Sequence, residues 1–227
     1  MTRTLFFAAA AALVLSACDS TGPEAEVDLT VQTAADIAAD PATGRDPNTG
    51  QAIDTGRFTL YSLRTGEVVL GYDEENRADS ASTLWDIGFR GTDIIVNGGA
   101  SGPGVGLATV VPEPFEDVAV ATDYTLRRDG DSTCESGPSL AVCTGSGNGW
   151  YTYVPFPGNQ GGYIIPTPGR TLVVRTADGE GYAKLRFTSY YQGNPAPSTI
   201  DFATPGRYYT FDYVLNAEGA TFVGDES

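Results

Sequence analysis

Histidine is absent from this 227-residue chain, methionine occurs only as Met1, and Lys184 is the only lysine. Without histidine the chain can form no Ser-His-Asp or Cys-His nucleophile pair, no histidine-ligated zinc site and no imidazole acid–base catalyst. Carboxylate pairs such as Glu74/Glu75 and Glu116/Asp117 suit glycoside hydrolysis only if they lie across a cleft, about 5–10 Å apart, which a sequence does not give. The chain is therefore predicted to be a binding protein and not an enzyme.

Positive charge is also scarce, with 13 Lys+Arg against 29 Asp+Glu and a formal net charge of −16. Such a chain repels phosphate backbones, which argues against a nucleic-acid partner. An acidic, lysine-poor surface is typical of proteins in salty surroundings, where screening weakens self-repulsion, and equally of generic secreted proteins.

Long hydrophobic runs are limited to one segment, which extends from Leu5 to Leu15 after the single charge of Arg3. Its length suits the apolar core of a signal peptide and is too short to span a bilayer. The sequence Leu15-Ser16-Ala17-Cys18 that follows resembles a bacterial lipobox. We predict that residues 1–17 are removed and that Cys18 receives a diacylglyceryl group and a fatty acyl chain such as palmitate, which together anchor stably. An ordinary secretory signal with an incidental cysteine is the alternative.

The predicted anchor places the protein in the bacterial cell envelope, and we expect the outer membrane or the cell surface. Asp19 and the acidic residues after it are compatible both with inner-membrane retention and with surface export. The envelope permits disulfides, so Cys134 and Cys143 are predicted to form one that closes a short loop. Reduced thiols and metal binding are the alternatives for this pair.

Large apolar residues are few between residues 18 and 55, which are predicted to be a lipid anchor and flexible linker with a short strand at Val27–Val31. The segment Asp40–Gly50 has spaced oxygen ligands and glycines that suit Ca²⁺, but it lacks the EF-hand spacing. Turns with Asx caps are the favoured alternative.

Residues 56–227 are predicted to form one β domain. Period-two alternation, the signature of half-buried strands, occurs at Arg57–Leu63, Tyr182–Thr188 and Tyr208–Leu215. Further strands are predicted at Val68–Tyr72, Ile94–Asn97, Leu107–Val111, Trp150–Val154 and Thr171–Arg175, and a helical turn at Ser82–Trp85. Glycine (28) and proline (14) supply the turns between them. We predict an all-β fold, a single antiparallel β-sandwich or partly closed barrel.

Aromatic residues are abundant, at 11% of the chain, with dense runs at Trp150–Tyr153 and Tyr208–Tyr213. Alternate positions must fill the core, and those that face a groove can stack on a flat ligand such as a porphyrin, or on sugar rings. The turns Val154–Gly162 and Gly98–Gly106 are predicted to form the walls of such a groove. The glycine runs Gly102–Gly106 and Gly145–Gly149 are predicted to be turns, because neither has the lysine of a phosphate-binding loop.

Several ordered stretches together resemble the HmuY family of surface lipoproteins over about residues 56–215. They are Phe58–Leu63, Trp85–Arg90 with Ile94–Gly99, Leu172–Gly179 and Tyr182–Tyr191, combined with the lipobox. The resemblance implies an all-β fold with a haem-holding cleft, and a role in passing haem to an outer-membrane receptor of the TonB-dependent type. Family members ligate haem iron with two histidines or with methionine, and neither set can be assigned to any position here.

Tyrosine is the substitute ligand that chemistry offers, because phenolate binds ferric haem. Tyr151, Tyr153 and Tyr163 are the candidate ligand-binding residues, with core or rim packing as their alternative role. Our leading hypothesis is a lipid-anchored protein that binds haem, or another flat apolar ligand, without catalysis. The alternatives are a surface structural or adhesion module, and a carbohydrate-binding module, that kept the fold without a haem site.

Overall fold

The computed structural model describes residues 29–131, 134–135, 137–158 and 161–223. The predicted signal peptide, the lipobox with Cys18 and the first two residues of the strand predicted at Val27–Val31 lie outside these residues. Within the described part, thirteen strands and three short 3₁₀ turns make up the regular structure, which confirms the predicted all-β class. No helix in the described ranges is long and apolar enough to cross a membrane.

Two antiparallel sheets form the body of the protein. The larger has the strand order β1-β13-β12-β11-β8 and the smaller the order β5-β4-β6-β7. The strands of the larger sheet are β1 (Gln32–Ala38), β8 (Leu107–Val111), β11 (Thr171–Arg175), β12 (Tyr182–Tyr191) and β13 (Gly206–Asn216). Those of the smaller are β4 (Thr59–Ser62), β5 (Glu67–Leu70), β6 (Ile87–Arg90) and β7 (Asp93–Val96). Two separate hairpins complete the set, β2 (Gly44–Arg45) with β3 (Ala52–Ile53) and β9 (Tyr151–Pro155) with β10 (Gly162–Pro166).

The main hydrophobic core lies between the two sheets, so of the two predicted architectures the sandwich is the one observed. From β13, Tyr209, Phe211 and Tyr213 are at most 1% exposed, as their period-two spacing predicts. They meet aromatic rings of the smaller sheet: Phe89 lies 4.6 Å from Tyr209 between ring centroids, and Tyr61 lies 5.6 Å from Phe211. Rings of this size supply most of the apolar area that a β-sandwich must bury.

The outer face of the larger sheet is also covered. A second cluster, which includes Phe115, Val118 and Phe222, packs on this face. Lys184 lies on this outer face, between Ala183 and Leu185, which face the main core, and it is only 5% exposed. Its ammonium donates hydrogen bonds of 2.8 Å to the carbonyls of Phe115 and Val118, which offset the cost of burying the charge.

The predicted linker is partly wrong. Residues 32–38 form β1, an edge strand of the larger sheet, and residues 44–53 form the β2–β3 hairpin. Residues 32–53 therefore belong to the folded body. The sequence pattern did not predict β1, because its side chains are mostly small or polar. Ala34 is buried at 4% exposure, but it is too small to stand out in a hydrophobic alternation. A register shift between Ala34 and Ile37, with Asp36 at φ 53°, further breaks the period-two pattern.

Two other predictions are corrected at this level. The helical turn predicted at Ser82–Trp85 occurs earlier, as a 3₁₀ turn at Ala78–Ala81. Strands β6 and β10 were not among the predicted strands. β6 is buried at Ile87, Gly88 and Phe89, so that it shows no alternation of apolar and polar residues.

Candidate functional site

A cleft of about 490 Å³ opens where the β9–β10 hairpin approaches the C-terminal end of β12 and the start of β13. The Ile164 N–H of β10 donates a 2.9 Å hydrogen bond to the Tyr191 hydroxyl of β12, which fixes the hairpin against the larger sheet. Residues 201–206 and the segment before β2 form the remaining walls. Its aromatic lining consists of Tyr153, Phe156, Tyr163, Tyr190, Tyr191, Phe202 and Tyr208.

Two of the three predicted tyrosines, Tyr153 and Tyr163, line this cleft. Tyr153 is 45% exposed, and Phe202 across the cleft is 73% exposed. Phe156 joins the walls, because its ring centroid lies 5.3 Å from Tyr163 and 4.4 Å from Phe202. Exposed aromatic rings at a concave surface are the usual platform for a flat ligand.

Tyr151 does not line the cleft. It is only 9% exposed and packs against Trp150, with ring centroids 5.0 Å apart. Its hydroxyl accepts a 3.1 Å hydrogen bond from the N–H of Gly145. The phenol is therefore bound to the turn that precedes β9. Tyr151 and Tyr153 are two positions apart, but the strand leaves the core between them, so only Tyr153 reaches the opening.

Sequence reasoning missed Tyr190 and Tyr191, which form the inner wall. They are 7% and 8% exposed. Burial raises the pKa of the Tyr190 phenol, although the neighbouring Arg207 guanidinium opposes that rise. Burial also raises the pKa of Tyr191, against the hydrogen bond from Ile164. The sequence did contain one indication of this role: both tyrosines end the alternating pattern of β12 and are followed by a connection rich in proline and glycine.

Two arginines, Arg45 and Arg207, line the same cleft. Arg207 has a left-handed backbone at φ 65°, a conformation that non-glycine residues adopt rarely and that is found preferentially at functional sites. Its guanidinium makes hydrogen bonds of 2.7 Å to the Asp54 carboxylate and to the Asp40 carbonyl. Arg45 donates a 2.9 Å hydrogen bond to the Gly50 carbonyl within the hairpin. Arg207 thereby fastens residues 40–54 beside the cleft, and Arg45 stands on that segment.

The segment predicted as a possible Ca²⁺ loop uses its carboxylates for turns. Asp40 is fully buried and accepts hydrogen bonds from the backbone N–H groups of Thr55, Gly56 and Arg57. Asp46 accepts bonds of 2.7 and 3.0 Å from the N–H groups two and three residues further along the chain, which is an Asx turn, and these bonds lower its pKa. Within the described residues, no group of three or more His, Cys, Asp or Glu side chains is placed to hold a metal ion.

Cys134 and Cys143 are joined by a disulfide bond. The loop they close contains Leu140, Ala141 and Val142, which are buried. The predicted wall at Gly98–Gly106 is wrong, since none of its residues lines the cleft. Gly102, Gly104 and Gly106 instead approach Asn97, whose amide binds the neighbouring backbone. The other predicted wall, Val154–Gly162, does contribute to the cleft, because Phe156 and Gly162 line it.

A second groove, of about 390 Å³, lies on the other side of the β9–β10 hairpin. Four of its thirteen lining residues are proline, and each of its two arginines has partners at two nitrogens. Arg186 makes ion pairs with Glu116 and Asp212, while Arg170 donates to the carbonyls of Gly147 and Gly149. The aromatic cleft, with its exposed rings, is therefore the better candidate for a ligand site.

Comparison with known proteins adds one family. The family model described as HmuY protein matches residues 54–213. Among solved structures, the chain is similar to the crystal structure of an apo HmuY analogue from Tannerella forsythia, with 15% sequence identity and a TM-score of 0.41. That alignment covers 82% of this chain and 95% of the other. No curated protein matches this chain.

Proposed function

Because this chain belongs to the HmuY family, whose members are binding proteins of the cell envelope, we propose that it captures haem in the aromatic cleft. The observation that carries the proposal is the cleft itself, which has a volume of about 490 Å³ and seven aromatic side chains on which a flat ring system can stack. Ligand pockets in proteins have volumes of about 300–1,000 Å³ and mostly aromatic or apolar walls. Haem is cargo here, and the protein acts by binding it without catalysis.

Tyr153 and Tyr163 are the proposed contact residues, since they line the opening from the β9–β10 hairpin. Tyr151 contributes indirectly, because it joins the hairpin to Trp150 in the core. Stacking on exposed rings contributes about 0.5–1.5 kcal/mol per ring pair beyond the burial of area. Several rings acting together are therefore needed for useful affinity.

We further propose that Cys18 carries the lipid anchor and that residues preceding the folded body tether it to the outer membrane, from which haem passes to a TonB-dependent receptor. A Cys18→Ser variant should move from the membrane fraction to the soluble fraction of cells, while the matched Ser20→Ala variant should stay with the membrane. Retention of Cys18→Ser in the membrane would contradict lipidation at this cysteine.

Titration of the purified mature protein with haemin tests the haem proposal. We expect a shift of the Soret band that saturates, and a weaker affinity for Tyr153→Ala and Tyr163→Ala by about 3- to 10-fold each, from the loss of one stacked ring. Tyr124→Ala is the control, because Tyr124 packs on the outer face of the larger sheet. The absence of any Soret change up to tens of micromolar haemin would eliminate haem capture.

The same variants separate the alternatives. The exposed rings of Tyr153 and Phe202 also suit sugar stacking, so glycan binding that Tyr153→Ala abolishes, without a haemin signal, would support a carbohydrate-binding module. Absence of both signals would favour a structural or adhesion role.

A further inference from the structure

The cleft offers carboxylate partners more readily than iron ligands. The chain has no histidine, and Cys134 and Cys143 are bonded to each other. Of the cleft tyrosines, Tyr190 and Tyr191 are buried, and burial raises the pKa of both phenols, which disfavours the phenolate that would bind ferric iron. Asp201 is the acidic side chain of the lining, and one of its oxygens already accepts hydrogen bonds of 2.9 Å from Ala203 and Thr204.

Basic side chains, by contrast, outnumber acidic ones in the lining of the cleft, although acidic residues predominate in the chain as a whole. The whole chain has 13 Lys+Arg against 29 Asp+Glu, yet two arginines and one acidic residue line this cleft. Arg207 uses Nη1 for its bonds to Asp54 and to the Asp40 carbonyl, and Arg45 uses one nitrogen for Gly50. A guanidinium has five N–H donors in a planar fork that fits carboxylates, so both retain donors for a ligand.

The placement of these arginines relative to the rings defines the shape of the ligand. Arg45 stands on the β2–β3 hairpin, and Arg207 at the start of β13, whereas Tyr153 and Tyr163 belong to the β9–β10 hairpin. A ligand that touches all four is a planar aromatic body with anionic substituents. Carboxylate–guanidinium contacts are strong when partly shielded from water, as for Arg207, whose side chain is 23% exposed.

We propose that this cleft recognises the tetrapyrrole ring and its carboxylates and not the central metal, so that metal-free protoporphyrin IX is a ligand equivalent to haem. The proposal rests on the proposed function, because it concerns the same cleft and the same class of ligand. It assigns Arg45 and Arg207 to the ligand carboxylates, and the tyrosines to the ring faces through their π surfaces.

Three ligands of one shape test it: haemin, protoporphyrin IX and the dimethyl ester of protoporphyrin IX. We expect protoporphyrin IX to bind within about 3-fold of haemin and to displace it in competition, and the ester to bind at least about 10-fold more weakly, because it has lost its charged oxygens. Tyr153→Phe and Tyr163→Phe should leave haemin affinity within about 2-fold, since the ring remains.

The arginines are tested in the same assay. Arg45→Gln should weaken binding of protoporphyrin IX by about 3- to 10-fold and leave the ester unchanged. Arg127→Gln, a matched loss of an exposed arginine that does not line the cleft, should change neither. Arg207→Gln is a second variant, and because Arg207 also fastens residues 40–54, its folding is checked by urea unfolding first.

The outcomes distinguish the two proposals. If no porphyrin binds, the proposed function fails. If haemin binds but protoporphyrin IX does not, or if the Tyr→Phe variants lose the haemin signal, haem capture stands and metal-independent recognition is overturned. Equal binding of the ester and the free acid would overturn the assignment of the arginines.

Discussion

Two buried carboxylates, those of Asp86 and Asp129, accept hydrogen bonds from backbone N–H groups at strand ends and in the connections between strands. Asp86 is fully buried and accepts 2.9 Å hydrogen bonds from the N–H groups of Leu63 and Ala177, which follow strands of different sheets. Asp129 accepts hydrogen bonds of 2.9 Å from the N–H of Val96, the last residue of β7, and of 2.7 Å from the N–H of Ala141. Burial raises the pKa of both carboxyls, against these hydrogen bonds. Each carboxyl group therefore requires more free energy to ionise in the folded protein than in the unfolded chain.

The pKa of Asp86 gives a pH prediction with a definite sign. Because its folded pKa lies above the unfolded value of about 3.9, the stabilisation from its protonation is fully present below that pH and is lost as pH rises through the folded pKa. The free energy of unfolding of wild type, relative to Asp86→Asn, should thus fall between pH 3 and pH 7. Urea unfolding at several pH values measures this difference.

Asp178 is the matched control with the opposite sign. Burial raises its pKa, but hydrogen bonds from Thr176 and Glu180 and the ion pair with Arg64 outweigh burial and hold the pKa below its ordinary value. Its stabilisation is present above the unfolded pKa and is lost as pH falls through the folded one. Wild type relative to Asp178→Asn should therefore gain stability from pH 3 to pH 7. The same slope for both variants would contradict the assignment.

At the scale of elements, the edge strand β1 extends the folded body to residues that precede the predicted domain boundary at residue 56. It pairs with β13 along Gln32–Ala38 and lies before the residues that the family model matches. Ala34 is buried at 4% exposure, while its neighbour Ala35 is exposed. This strand therefore belongs to the core although it contributes no large apolar side chain.

Ala34→Asp should destabilise the fold by about 3 kcal/mol or more, because it buries an unpaired charge between the sheets. Ala35→Asp, one residue further along the same strand, should change the free energy of unfolding by no more than about 0.5 kcal/mol. Urea unfolding of both variants provides the comparison. Similar values for the two would mean that β1 is not packed as described.

The disulfide between Cys134 and Cys143 is the second element with a measurable contribution. It closes a loop with a sequence separation of 9, and residues 140–142 of that loop are buried. The Cys134→Ser/Cys143→Ser double variant should lose about 2–3 kcal/mol, which lowers Tm by roughly 4–12 °C for a domain of this size. Differential scanning calorimetry measures it, and an unchanged Tm in the double variant would show that the bond contributes nothing to stability.

Strands were predictable from the sequence where large apolar and β-branched residues alternate with polar ones or follow one another, even when both faces are buried, as in β4 and β11. β8 and β11 have the predicted bounds, and β4, β12 and β13 lie within two or three residues of them. Two of the strands that were missed have a weaker apolar pattern: β1 is built largely from small and polar residues, and the four residues of β6 include Gly88 and Arg90. Local pattern carries the information in the first group, and tertiary contact alone determines the second.

The HmuY resemblance was confirmed by the family model, but the cleft was only half predictable. Tyr153 and Tyr163 were found from their place in an aromatic, turn-rich stretch. Arg45 and Arg207 were not predicted, since they lie about 160 residues apart in sequence. Arg45 comes to the same cleft because Arg207 binds Asp40 and Asp54, on either side of it in the chain. Long-range pairing of this kind leaves no local signal.

At the scale of the whole molecule, the formal charge of −16 opposes the compact state through self-repulsion. Within the described residues, seven ion pairs form; all involve arginine, and they leave most carboxylates without a cationic partner. Salt screens such repulsion over a Debye length of about 10 Å at 0.1 M and about 3 Å at 1 M.

The midpoint of urea unfolding should therefore rise as NaCl increases from 10 mM to 1 M. Most of the increase should occur below about 0.2 M, where the Debye length shortens fastest. Sucrose at matched osmolality is the control for effects on solvent. A midpoint that is independent of salt would indicate that the acidic groups lie too far apart to repel one another.

The antiparallel pairing of β1 with β13 also determines how mechanical load enters the protein. Tension on the chain ahead of Gln32 meets the β1–β13 pairing before it reaches the hairpin that carries Arg45, because β1 precedes that hairpin in the chain. The aromatic cleft is thereby separated from such a pull by the pairing of one whole strand.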